Sequence, residues 1–202
     1  MATRIRNPRG EGDRLRTALL DAATELLGES QDVEGLSVRA VTARAGVSPT
    51  ALYLHFADKA DLTRAVKARC FAALGDALRQ AEAAHEGDPR KQLRALGHAY
   101  LRFAREQPGQ YAILFQTHIP KAEPPPDSDA TGEKPGEDVF DILVEAVGRC
   151  VDDDTDPFEV ACVLWMTLHG RAAVRSAMPD FPFPDDARFV ALLLDGYVSA
   201  SA

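Results

Sequence analysis

The sequence predicts an all-α protein in which a small three-helix unit, built around a helix-turn-helix, precedes a larger helical segment. Three observations carry that expectation. Apolar residues recur at spacings of three and four through most of the chain, as one-sided helices require. Breakers such as Gly28, Pro89, Pro108 and Pro157 fall between those runs, where helices start and stop. The stretch Ser37 to Lys59, SVRAVTARAGVSPTALYLHFADK, reads as two short helices joined by a tight turn.

Composition bounds the rest. The 202 residues, 46% of them hydrophobic, are enough for one compact domain or a small domain fused to a larger one. No run approaches the roughly 18 apolar residues of a membrane span, and MATRIRNPRG lacks the apolar core of a signal peptide, so a cytoplasmic protein without a membrane partner is expected. Cys70, Cys150 and Cys162 show no CxxC spacing and read as reduced, mostly buried thiols rather than a disulfide framework or zinc site. The net charge is −8, but residues 1–70 carry 11 Lys/Arg against 9 Asp/Glu, whereas 71–202 carry 12 against 22. The acidity therefore belongs to the second part.

Residues 1–12 bring Arg4, Arg6 and Arg9, with Arg14 and Arg16 close behind. They read as a basic arm able to enter a minor groove or lie along phosphates, or else as a solvated terminus. The first helix is expected from about Asp13 to Leu27, with Leu15, Ala18, Leu19, Ala22, Ala23, Leu26 and Leu27 in one stripe and Gly28 at its end. Ser37 can cap the next helix, whose apolar members are Val38, Val41 and Ala45, and Gly46 supplies the left-handed stop. Ser48 and Pro49 restart a helix at once, as N-cap and first position. Val47, Leu52 and Phe56 should face inward, leaving Thr50, Ala51, Tyr53, Leu54 and His55 outside. Such a motif, in a unit spanning 13–57, points to duplex DNA.

The second segment, 58–202, opens with Asp58 capping a long helix to about Ala84, Asp61 forming a carboxylate version of the capping box. Helices should follow at about Pro89–Glu106 and around Tyr111, Ile113, Leu114 and Phe115. Residues 119–137 lack apolar periodicity and read as a mobile linker, with a ligand lid as the alternative. Helical pattern resumes at Asp138. The acidic run 152–156 then suits a helix N-terminus with Pro157 in its first turn. The last two helices, about 156–178 and 185–199, are apolar around more of their circumference than a surface helix needs, and Gly170, Ala172 and Ala173 allow close approach. A homodimer of four packed helices would bury that surface.

The segment LSVRAVTARAGVSPTALYLHFADKADL resembles the DNA-binding signature of the TetR family of bacterial transcription regulators, with AGVS at the turn, LYxHF in the recognition helix and the lysine after it. WMTLHG, at Trp165 to Gly170, resembles the Trp…His-Gly signature of one subgroup of TetR-like C-terminal domains. One departure is Thr42, where the family commonly has alanine. Its hydroxyl could loosen the helix crossing or return to a helix carbonyl.

The resemblance implies an all-α fold of an N-terminal helix-turn-helix DNA-binding domain and a larger helical ligand-binding and dimerisation domain. It implies that Thr50, Ala51 and Tyr53 meet base edges, and that Ser37, Ser48, Tyr53, His55 and Lys59 hold phosphates of an operator, Tyr53 standing on both sides. It further implies a small-molecule effector among the middle helices. Tyr100, Phe103, Tyr111, Phe115, His118, Trp165, Met166 and His169 are the candidate lining, and plain core is the alternative for each. Trp165 and His169 share a helical face. No cofactor or metal is expected, His118 and His169 lacking a supporting ligand spacing. Nor is an enzyme, since GxSxG, HExxH and phosphate-cradling loops are missing from the sequence. The expected function is a repressor released from a palindromic operator by its ligand. Alternatives are an activator of the same fold and, further off, a helical enzyme or an interaction module.

Overall fold

The computed structural model describes residues 11–30, 36–115 and 136–197, and among them there is no strand. In chain order the helices are α1 (Glu11–Ser30), α2 (Val38–Arg44), α3 (Pro49–Leu52), α4 (Lys59–Ala83), α5 (Pro89–Glu106), α6 (Pro108–Phe115), α7 (Glu137–Gly148), α8 (Pro157–Ala177) and α9 (Asp186–Tyr197). They gather into two compact units. One holds the described residues of 1–70 and 108–130, the other those of 71–107 and 131–202. α4 contributes to both.

The first unit is built on α1, which packs against α2 and α6. Being covered by both, it buries Leu20 as well as Leu19, Ala22, Ala23 and Leu27, whereas the expected stripe member Ala18 is exposed. α6 stands 25 residues beyond α4 in sequence, yet it joins this unit because Gly109 lies flat on α1. A Cβ on Gly109 would fall 1.7 Å from the Leu27 carbonyl oxygen, a separation no side chain tolerates. Arg44 reaches Glu25 at 3.3 Å and Glu29 at 2.6 Å, tying α2 to α1, and Arg69 on α4 pairs with Asp21. These half-exposed pairs orient helices more than they stabilise them.

In the second unit α5 is central, packing on α7, α8 and α9. Leu93, Leu96 and Leu101 of α5 are buried, as are Ile142 of α7, Leu164 and Leu168 of α8, and Val190 and Leu194 of α9. Gly97 permits the α5–α9 approach, since a Cβ there would stand 3.2 Å from Val190. Gly136 opens α7 with φ of +102°, and a Cβ on it would run into the Phe71 ring at 2.6 Å. Between Leu93, Gly97, Leu164, Leu168 and Val190 lies an apolar gap of about a single water molecule.

Arg171 of α8 was not legible as a core residue, yet it is 7% exposed. Its guanidinium sits 5.3 Å from the centroids of both Phe183 and Phe189. Its Nη2 donates to the Pro184 carbonyl at 2.6 Å and to Asp186 at 3.1 Å, while Nε has no hydrogen-bond partner among the described residues. Arg171 thereby clamps the corner between α8 and α9. The thiols differ from expectation: Cys70 is buried, but Cys150 and Cys162 are half-exposed.

Candidate functional site

The DNA-facing candidates are placed by two small capping devices. Ser37 Oγ accepts from Ala40 N–H at 3.1 Å and starts α2. Ser48 Oγ accepts from Ala51 N–H at 3.3 Å and starts α3, with Pro49 at its first position. Between them Gly46 adopts φ of +69°, the left-handed turn that only glycine enters without strain. Because each hydroxyl accepts in its cap, its own proton stays available to donate. Thr42, 2% exposed, donates its hydroxyl to the Val38 carbonyl at 2.9 Å and lies 3.3 Å from that of Arg39. The departure from alanine is thus absorbed inside α2.

Leu52 and Phe56 are 0% and 2% exposed and hold α3 and the turn after it to the unit's core; Val47 is half-buried. Thr50 and Lys59 are exposed, Tyr53 is 53% exposed, and Ala51 and His55 are half-buried. Lys59 is the first residue of α4, whose end is closed by two carboxylates. Asp58 Oδ1 accepts from Asp61 N–H at 2.6 Å, and Asp61 Oδ2 accepts from Ala57 N–H at 3.0 Å, one residue before the expected box partner. One further cation is held at this surface. Arg16 of α1 lies over the Phe56 ring at 5.3 Å, a cation–π contact that holds it beside the turn. Arg14 and Arg16 sit on α1, as a first helix starting near Asp13 requires. Arg4, Arg6 and Arg9 lie outside the described residues.

The effector candidates separate into groups. In the second unit Tyr100 Oη and His169 Nδ1 share a hydrogen bond at 3.2 Å, and the Trp165 and His169 rings are 5.8 Å apart. Phe140, which the sequence reading passed over, stands edge-on to Trp165 at 6.1 Å and to Phe158 at 5.7 Å. The aromatic series Phe158, Phe140, Trp165, His169 and Tyr100 thus crosses α8, α7 and α5. Burial holds the His169 imidazole below its ordinary pKa, so it is neutral near pH 7 and can donate and accept at once. Phe103 is buried, and Met166 is 57% exposed. Tyr111 and Phe115 belong to the first unit, where their rings pair at 4.9 Å. His118 and most of 119–137 lie outside the described residues. Among those described, no cluster of three or more His, Cys, Asp or Glu could hold a metal ion, and no helix is long and apolar enough to cross a membrane.

Among the described residues, the exposed large hydrophobics other than Tyr53 and Leu54 are Phe158, Met166, Val174, Met178, Phe181, Leu192 and Tyr197. All lie on α8, α9 or the segments that flank them. Phe158, Cys162, Met166, Gly170 and Val174 are spaced by four along α8, and added Cβ atoms on Gly170 and Gly196 would meet nothing within 4 Å. These helices present an apolar ridge with small residues in it.

Comparison with known proteins gives two family matches. Residues 19–66 match the model of the bacterial regulatory proteins of the tetR family. Residues 93–197, over half of the chain, match that of the tetracyclin repressor-like C-terminal domain. An uncharacterized HTH-type transcriptional regulator of Bacillus subtilis (strain 168), YobS, is 30% identical over 106 residues, 52% of this chain and 54% of its own length. The match therefore spans about half of that relative. A protein of unknown function from Rhodococcus sp. RHA1 superposes with a TM-score of 0.72 at 25% identity, over 92% of this chain and 95% of its own. A TetR regulator from Streptomyces coelicolor superposes with a TM-score of 0.63 at 20% identity, over 90% and 96%.

Proposed function

The chain belongs to the TetR family of bacterial regulatory proteins, DNA-binding regulators of transcription, and from that membership we propose a repressor whose hold on a palindromic operator is released by a small-molecule effector. The observation that carries the proposal is the outward group of Thr50, Tyr53 and Lys59, held by the buried Leu52 and Phe56 and free of any role in the core. In this reading Thr50 and Tyr53 meet base edges, with Ala51 offering only a half-buried methyl to a thymine. Ser37, Ser48, His55 and Lys59 hold phosphates, and Tyr53 adds its hydroxyl to either group. Lys59 gains from its place at the N-terminus of α4, where the helix dipole also favours an anion.

A palindrome needs two readers. The apolar ridges of α8 and α9 supply the surface for an isologous pair, and burial of Phe158, Met166, Val174 and Leu192 supplies its driving force. Two recognition helices enter successive major grooves only when roughly 34–36 Å apart. The effector is expected in the second unit near Trp165, His169 and Tyr100. Because α4 runs through both units, an effector that prefers a different tilt of α4 would disfavour the DNA-competent spacing, and the two affinities oppose each other by the same factor.

The test is a binding titration with a palindromic duplex from upstream of the protein's own gene, followed across salt concentrations. Wild type should bind with a steep salt dependence. Lys59→Ala should weaken binding to all sequences alike and lower the slope of log K against log salt by about one. An unchanged slope removes Lys59 from the phosphate contacts, and no binding to any duplex at low salt overturns the proposal.

A further inference from the structure

We propose that Leu54 is a specificity-determining residue, which reads the C5 methyl group of a thymine in the major groove. The proposal rests on the DNA-binding reading above and adds to it a residue of different chemistry. Leu54 is 77% exposed, more than any other large hydrophobic side chain among the described residues. Its position is fixed nevertheless. Past the end of α3 the backbone keeps turning: Tyr53 N–H donates to Pro49 O at 3.4 Å, Leu54 N–H to Ala51 O at 3.3 Å, and Phe56 N–H to Leu52 O at 3.0 Å.

Thr50, Tyr53 and Leu54 therefore stand at i, i+3 and i+4 on one face, while Leu52 and Phe56, four apart on the other, are buried. The leucine is thus carried on the face that presents the base-reading side chains.

A side chain with no donor or acceptor is a poor neighbour for most of the groove. Against guanine N7 and O6, adenine N7 and N6 or cytosine N4 it displaces water from polar edges and returns no hydrogen bond. The thymine methyl is the apolar exception. The same chemistry rules out a phosphate contact through the side chain. Leu54 should gain from a T·A pair and lose opposite a G·C pair, so it selects by attraction and by rejection together.

The test uses a duplex selected by the wild-type protein from a randomised pool, with each thymine in turn replaced by deoxyuridine, which keeps the Watson–Crick edge and lacks only the methyl. Loss of one buried methyl should weaken wild-type binding about fourfold at one position in each half-site. Leu54→Ala, which should unfold at the wild-type temperature because the side chain is exposed, should bind the two duplexes equally at that position. It should still show any thymine preference located elsewhere. A wild-type protein indifferent to every replacement, or a Leu54→Ala variant that keeps the full preference, overturns the proposal and leaves the DNA-binding reading standing. Failure of the wild type to select any duplex overturns both.

Discussion

Burial depresses the pKa of His169 below 6.5, and burial does the same to His98 against the opposing pull of Asp186. As pH falls through 6.5 the unfolded chain takes up these protons before the folded one, so protonation favours unfolding and stability is lost on the way down toward the native pKa. Urea midpoints should therefore fall between pH 7.5 and 5.5. His169→Gln should flatten that decline without abolishing it, because His98 remains; an unaltered slope would mean that His169 is no more desolvated than in the unfolded chain. Cys70 makes a similar point about access. Burial pushes its thiol up to about 12, so at pH 8 iodoacetamide should leave Cys70 unmodified until the protein is unfolded. The cap residues Ser37 and Ser48 and the left-handed Gly46 were legible in the sequence because each acts on backbone within four residues of itself. Arg171 was not, since its partners Phe183, Pro184, Asp186 and Phe189 come from a corner that only the folded chain assembles.

α6 illustrates the same limit for a whole helix. Its sequence shows Pro108 and Gly109 followed by apolar and aromatic residues, and the reading of Pro108 as a breaker accounts for the end of α5. What Gly109 does across space is set by Leu27, 82 positions earlier, and no local pattern records it. Gly109→Ala should force α6 off α1 and lower stability by about 1–3 kcal/mol, measurable by chemical denaturation. A neutral result would show that α6 is free to slide. By contrast, Ser48→Ala removes one capping bond from α3 and should cost about 1 kcal/mol, with a larger loss in DNA binding than in stability, because the short helix has four residues and no other side-chain cap. The α4 boundary was read correctly to within a residue at each end, since Asp58 signals its start and its apolar residues repeat without interruption.

Assembly is where the remaining exposed apolar surface finds its purpose in the proposed dimer. Met166→Lys and Leu192→Lys alter side chains that are 57% and 50% exposed, so each variant should keep its fold. Sedimentation should show a shift from dimer to monomer, and operator affinity should drop with it, because two half-sites would then be bound independently. Variants that stay dimeric would move the interface off these ridges. The exposed apolar surface of α8 and α9 was legible from the excess of apolar residues in the last two helices; the clamp at Arg171 that fixes their corner was not. A final consequence lies in the geometry of α4. Its buried residues Leu62, Val66, Cys70, Leu74 and Leu78 repeat every four positions on a helix of about 3.6 residues per turn. Each step advances the buried line by about 40°, and the whole line winds about 160° around the axis. α4 is therefore keyed in phase like a threaded shaft. Adding one residue between Cys70 and Leu74 would put Leu74 and Leu78 about 100° out of phase, whereas adding four would cost about 40°. If the proposed effector acts through α4, it should lose its influence on DNA binding in the first case and keep part of it in the second.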